Sequence, residues 1–495
     1  MRIAITAVLL AANAVATGLS VALLGFSSDT SNTLGALLPV TGGLWALFAL
    51  SMVCLFRVPG RRAGVVLVLV GAVGIGGAAL LGAPNTSTDS ARYAWDGIVQ
   101  NAGNSPYDFV PADPALRSLR PEWIFPEPVV AAAVAGGGVV GGDAAHGYLE
   151  CPGARITTVV EPQTGRLLCT AINRPTVTTI YPPAAQLLFA GVRSLVAPTA
   201  EYWPMQVAGL LIFLAVTVLL LRGLISCGRD PRWSALWAWC PLVATEGVTN
   251  SHVDVFAALL LLVATLLAST RRPWLAGLAL GASISVKLIP AIGSFAMLRR
   301  NPLAVIGGAV AVFALLYVPY VLASGPTVVG YLFGYLNEEG FSNGTRFLLI
   351  SLVAPGPAAA VVAVIVLAGL AVLVTANSDP DDPWLAQVVM IGVTLLVLSP
   401  RYPWYALLLV PMVAMTGRWE WMAVPLALTV RLLVPSPEVS QVVLSLAIVA
   451  ISVAAWRRAG PGGRARAWAD LRHPLRPRLR TRESAREHAR SLTVR

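Results

Sequence analysis

Charge is scarce in this sequence. Asp, Glu, Lys and Arg supply 12% of its 495 residues and apolar types supply 56%, whereas a soluble domain carries ~25% charged residues. A large soluble fold is thereby excluded, apart from one long polar loop and a tail. Cysteine is also sparse, five in all, and the spacing fits no metal site. The chain lacks a Ser-His-Asp order, a phosphate-cradling Gly-Lys-Ser loop and a dinucleotide fingerprint. It has no clear internal repeat either, which argues against a repeat-built transporter. The Gly-rich stretch 135–142 carries no strand-to-helix signature and reads as a flexible insert.

What the chain does have is long apolar runs. Stretches able to cross ~30 Å of hydrocarbon, about 20 helical residues each, recur from the N-terminus to Trp456. The expected fold is an all-α polytopic membrane protein with roughly 12–14 membrane segments. The first run, to Leu24, reads as an uncleaved helix rather than a signal peptide, because it is long and a second span follows closely. A net charge of +11 does not point to nucleic acid here. The arginines gather in short loops and after Trp456, the pattern of cytoplasmic loops and a tail facing anionic membrane lipids.

Arginine placement sets the expected topology. Arg57, Arg61 and Arg62 put the turn between spans 34–55 and 63–81 in the cytoplasm, so the N-terminus is inside and 84–182 is outside. Arg222, Arg229, Arg232, Arg271, Arg272, Arg299, Arg300, Arg418 and Arg457 mark further cytoplasmic loops and a cytoplasmic C-terminus. They share one side on two conditions. Segment 183–196 must be an interfacial or re-entrant helix, leaving 205–221 as the single crossing. Segment 274–298 must be two half-helices turning near the outer surface around Lys287, where Pro290 breaks the ladder. Irregular backbone at membrane depth survives only when buried or lining a watery cavity, so that break marks a site. Further spans are expected at 233–248, 252–269, 303–322, 357–375, 384–398, 405–415, 421–433 and 442–455. The chain then divides into membrane helices 1–83, an external loop 84–182 with an insert at 128–170, a membrane bundle 183–456 and a basic, disordered cytoplasmic tail 457–495. In the loop, 155–170 has the alternation of a hairpin. Cys151 and Cys169 share this loop, and an external location permits a disulfide between them.

With this topology, unusual polar residues converge on the external side. They are Asp89 to Asp96, Glu246, Asn250 to Asp254, Lys287, the loop 337–346 ending in Arg346, and Arg401 to Tyr405. Ionisable groups within spans are costly, about 2.5–3.5 kcal/mol at a helix centre, and tend to line cavities and pair. Carboxylates suit proton abstraction, Lys and Arg suit a phosphate, and Trp and Tyr suit sugar faces. Each residue also has a simpler reading. Asp89 and Asp96 fit loop caps, His252 and Asp254 a helix cap, Lys287 a snorkelling side chain, Arg346 and Arg401 surface anchors, and Trp404 and Tyr405 an aromatic belt.

These residues resemble a known family. Asp89 just after a span, then Arg92-Tyr-Ala-Trp-Asp-Gly97, Asn104-Ser-Pro-Tyr107 and Thr179-Ile-Tyr-Pro-Pro-Ala-Ala-Gln-Leu-Leu-Phe189, resemble the first external loop of the GT-C superfamily. More narrowly they resemble actinobacterial polyprenol-phosphate-mannose-dependent mannosyltransferases. Asn250-Ser-His-Val-Asp254, Val286-Lys-Leu-Ile-Pro290 and Ser399-Pro-Arg-Tyr-Pro-Trp-Tyr405 follow in the same order, so the likeness covers 87–411. It implies a GT-C-like helical bundle and a cell-envelope glycosyltransferase of the inner (plasma) membrane. That enzyme would move a hexose, most simply mannose, from a polyprenyl-phosphate donor to a glycolipid or polysaccharide, with inversion. By motif position Asp89 is the base, with Asp96 the alternative. Lys287, Arg401 and Arg346 are expected on the donor phosphate. Asp96, Tyr93, Trp95, Tyr181, His252, Asp254, Trp404 and Tyr405 are expected around sugar and acceptor. Neither metal nor cofactor is expected beyond the lipid-linked donor. The rival readings are a lipid-linked glycan polymerase or ligase and a transporter or flippase of a lipid-linked sugar.

Overall fold

A computed structural model of the chain describes residues 1–24, 30–130, 149–153, 155–161 and 163–472. Among these the fold is helical, with two small antiparallel ribbons, Val129–Val130 with Leu149–Glu150 and Thr157–Val160 with Leu167–Thr170. Seven helices are long and apolar enough to cross a membrane, among them Arg2–Leu23, Arg61–Ala78 and Trp203–Ser226. The pair Pro241–Thr249 and Asp254–Ser269 is together long and apolar enough as well, but is bent by 116° at the break between its two helices. Shorter apolar helices are Pro273–Ile284, Trp384–Leu398 and Pro403–Thr416. Helices Pro302–Ser324 and Pro357–Asn377 expose Val310, Leu315, Val364 and Ile365, apolar surface that hydrocarbon covers. The all-α polytopic architecture is therefore the observed one.

Both topological conditions have structural counterparts. The segment after Pro182 forms the helix Pro183–Arg193, whose 11 residues reach only about 16 Å at 1.5 Å per residue, too short to span. The segment around Lys287 is broken as expected: Pro273–Ile284 ends, and a 3-10 helix restarts at Ile289–Ala296. The basic loops also converge at one end. Arg232 donates to the carbonyls of Phe56 and Val58, Arg229 pairs with Asp382, and Arg271 and Arg300 share Asp381.

Three expectations need correction. The span at 233–248 is not one helix: it divides into Pro231–Ser234, Ala235–Ala238, Pro241–Ala244 and a π-helical turn, Thr245–Thr249. Pro241 lacks an N–H for the preceding turn, which explains the break. The polar residues after Asp89 are a helix, Asp89–Asn101, rather than a loop. The tail does not begin as irregular chain at 457. The helix Pro437–Arg472 continues through it, interrupted at Gly460, where φ is +62°. The remaining tail residues and the Gly-rich stretch 135–142 lie outside the described residues. By compactness, Met1–Ala447 is one unit and Ile448–Arg495 another.

In the long loop, Thr157–Val160 pairs with Leu167–Thr170 as the expected hairpin, and Cys151 is disulfide-bonded to Cys169. One face of Asp89–Asn101 (Ala91, Ala94, Trp95, Ile98) packs with Ile124, Phe125, Leu168 and Ile172. The loop is thus folded around an apolar core of its own, and that core holds the helix carrying Asp89.

Candidate active site

Three segments meet at the end of the bundle opposite the basic loops. The first is the start of Asp89–Asn101, where Asp89 occupies the first turn at the positive end of the helix dipole and its own backbone N–H donates to Ser87 Oγ at 3.1 Å. The second is the bend between Thr245–Thr249 and Asp254–Ser269. Ser251 adopts φ +56° there, a conformation that costs a non-glycine residue energy and clusters at functional sites. Asn250 Oδ1 accepts from the backbone N–H groups of Asn85 (2.9 Å) and Thr86 (3.0 Å), tying the bend to the chain just before Asp89. The third is Ser399–Tyr405, which begins with Ser399 at φ +42°.

Asp89 is the centre of this meeting. Its side chain keeps 17% exposure, so it is held yet reachable. Asn173 Nδ2 donates to Oδ1 at 2.9 Å, and His252 Nδ1 lies 3.8 Å from Oδ2. His252 is fully buried, and its Nε2 lies 3.1 Å from Glu246 Oε2. Thr86 Oγ1 donates to the same Glu246 carboxylate at 3.0 Å. One imidazole therefore sits between two carboxylates. Lys287, the chain's only lysine, pairs with buried Asp254 at 2.7 Å and lies 4.3 Å from the Tyr405 ring centre. It also feels the charge of Asp89. Burial first, and then the Asp89 charge, push the phenols of Tyr93 and Tyr181 well above their usual range. Both stay neutral beside Asp89.

Not every expected residue faces open space. Asp96 is buried and engaged by Arg92 Nε (2.8 Å), Thr179 Oγ1 (2.7 Å) and Gln186 Nε2 (2.9 Å). Its carboxylate ties the loop helix to Pro183–Arg193 and leaves no room for a sugar. Trp95 is buried against Phe125 in the loop core. Trp404 has both faces covered, by His252 at 3.7 Å and Tyr402 at 4.6 Å, so it orients the imidazole and cannot stack on a sugar. Tyr93 is buried and stacked on Phe189. Lys287, expected on the donor phosphate, grips Asp254 with both carboxylate oxygens. Tyr181 and Tyr402 stay in the neighbourhood of Asp89, and Tyr402 feels both Asp89 and Arg401, while Tyr405 lies against Lys287. Arg346 is buried and paired with Glu339, whereas Arg401 is exposed.

Several residues at this end were not singled out by the sequence. Asn173 and Arg174 follow the hairpin, and Arg174 pairs with Glu338 at 2.9 Å beside Tyr335. Tyr335 shares a 2.8 Å hydroxyl contact with Tyr405. Arg431 lies within Coulombic range of Arg346 and Arg401. Its signal was available, since it is one arginine inside an apolar run. A cavity of about 310 Å³ lies at the other end, beside Arg229, Asp382 and Arg418, away from Asp89.

Residues 179–400 match the family model of glycosyltransferase family 87. That family is of the GT-C type, and the match indicates glycosyltransferase activity. It takes in Glu246, His252, Asp254, Lys287 and Arg346, while Asp89 lies before it and Arg401 just after. No curated protein and no solved structure matches the chain.

Proposed function

We propose that the chain is a hexosyltransferase that takes mannose from a polyprenyl-phosphate carrier and passes it to a glycolipid or polysaccharide hydroxyl. The reaction occurs at the outer face of the inner membrane, with both termini cytoplasmic. The observation that carries this reading is the setting of Asp89: one oxygen fixed by Asn173, the other facing a buried His252 backed by Glu246, with part of the carboxylate accessible.

In this mechanism the acceptor oxygen attacks C1 of the donor sugar as Asp89 takes its proton, and the C1–O bond to the carrier phosphate breaks on the opposite face. The configuration at C1 inverts in one displacement. Asn173 and His252 keep the carboxylate aimed, which matters because a general base must lie within hydrogen-bond reach of the proton it removes. Lys287 neutralises Asp254 and holds Tyr405, whose hydroxyl contacts Tyr335. The leaving phosphate departs as an anion, and Arg346 and Arg401 stabilise it, so the reaction proceeds in chelator. A small cavity of about 30 Å³, room for about one water, lies between Leu37, Leu44, Trp45 and Leu432 and the polar Thr86 and Glu246.

The test is incubation of purified protein in detergent with radiolabelled polyprenyl-phosphate mannose and a glycolipid acceptor. Labelled product is expected. Detergent has no sides, so a transporter or flippase gives none, and absence of transfer to any acceptor would overturn the reading.

A further inference from the structure

A second charged cluster borders Tyr335. Arg346 is 5% exposed; one terminal nitrogen donates to Glu339, while its Nε is buried without a partner. Arg431 stands in the last turn of the helix Ala423–Leu433, and its Nε is buried and unpartnered as well. Arg346 and Arg401 both repel Arg431, and Glu339 is the carboxylate that attracts it. The packing agrees: the helix Ala423–Leu433 lies against Pro403–Leu408, just after Arg401, and Gln441 beyond it donates to the Leu348 carbonyl, two residues after Arg346, so that three cations, Arg346, Arg401 and Arg431, come from segments that pack together.

Neither feature is cheap to hold. Arg346 is buried and Arg431 half-buried, where like charges repel more strongly than in bulk water, and buried N–H groups are almost always bonded. A helix C-terminus favours a cation in its last turn, which accounts for Arg431 alone and not for Arg346 or Arg401. An anion seated among the three would answer both costs, since guanidinium groups bind phosphate through strong charge-assisted bonds. Lys287 is no rival for that role, because Asp254 engages its ammonium through both carboxylate oxygens and, unlike Arg346 and Arg431, it has no buried nitrogen without a partner.

We infer that Arg431 is a binding residue, and that with Arg346 and Arg401 it forms a site for the phosphate of a lipid phosphate. Glu339 holds Arg346 in place and competes with the incoming anion. The site deepens the proposed reaction and rests on it only for the identity of the carrier.

The experiment measures binding to the full chain in detergent for farnesyl phosphate, inorganic phosphate and farnesol. Arg431→Gln is expected to weaken farnesyl phosphate by about tenfold or more, the scale of one lost charged hydrogen bond, and to leave farnesol unchanged. Arg431→Lys should fall between the two, and Glu339→Gln should bind farnesyl phosphate more tightly than the parent. Equal weakening of inorganic phosphate identifies the phosphate itself as the recognised group, while weakening of farnesyl phosphate alone assigns the site to a lipid carrier. Parental affinity in Arg431→Gln, or an equal loss of farnesol, overturns the inference. Should Arg431→Gln fail to fold, unchanged affinity in Glu339→Gln overturns it instead. An intact phosphate site in a protein that transfers no mannose would remove the donor reading and leave the site standing.

Discussion

Lys287, partly exposed, and Asp254, fully buried, form an ion pair in which the lysine Nζ lies 2.8 and 2.7 Å from the two carboxylate oxygens. The pair joins two irregularities, the bend before Asp254–Ser269 and the break after Pro273–Ile284. Each break interrupts the helical backbone hydrogen bonding, and the ion pair links the two. Removing one member strands the other as a buried charge, at a typical cost of about 3–5 kcal/mol. Lys287→Met should therefore lower the melting temperature in detergent sharply, and the double variant Lys287→Met, Asp254→Leu should recover part of the loss. A Lys287→Met protein that melts like the parent would remove this structural role.

Gly97 lies where Asp89–Asn101 crosses Pro183–Arg193. A Cβ built there would stand 2.5 Å from the Phe189 carbonyl oxygen and 2.7 Å from Arg193 Cγ. The nearer atom is backbone, so it cannot turn aside. Gly97→Ala is expected to cost about 1–3 kcal/mol through overpacking, read as a lower melting temperature and as protease sensitivity in the loop. Unchanged melting would mean that the two helices are less closely apposed than described.

The external loop should respond to acid. Burial alone would raise the Glu161 carboxyl, but hydrogen bonds from Arg120, Thr164 and Arg117 prevail and hold it at about 2. A carboxyl depressed on folding contributes stability above its unfolded value, near 4.3, and loses it as pH falls toward the folded value. Melting curves taken from pH 6 down to 3 should show this loss in the parent and a flatter acid limb in Glu161→Gln. The same slope in both would assign the acid response to other groups.

The spans were legible because long apolar runs have few alternatives, and the break at Lys287 was legible because Pro290 and a buried charge coincide there. The helix Asp89–Asn101 was not read as a helix. Its residues are too polar to signal a membrane helix, although the Arg92–Asp96 pair, four residues apart, was a helical cue. Asn173 and Arg431 carry no local motif, and only the folded loop and the packed helices bring them to their places. The aromatic residues mislead in one respect. The sequence marks Trp404 as a ring beside the site, but not that His252 and Tyr402 cover both its faces. The order of motifs pointed to a transferase, while the division of Asp89 and Asp96 by burial, one part-exposed and the other enclosed, carries no sequence signal.

That division gives the most direct test of the account. Mannosyl transfer in detergent should be compared for the parent, Asp89→Asn and Asp96→Asn, each normalised to correctly folded protein. Loss of general-base catalysis typically costs 10²–10⁴-fold. Asp89→Asn is predicted to lose kcat by about that much while melting like the parent, and Asp96→Asn to lose melting temperature first and keep activity in its folded fraction. Full activity in Asp89→Asn, with activity abolished in folded Asp96→Asn, would contradict the central claim.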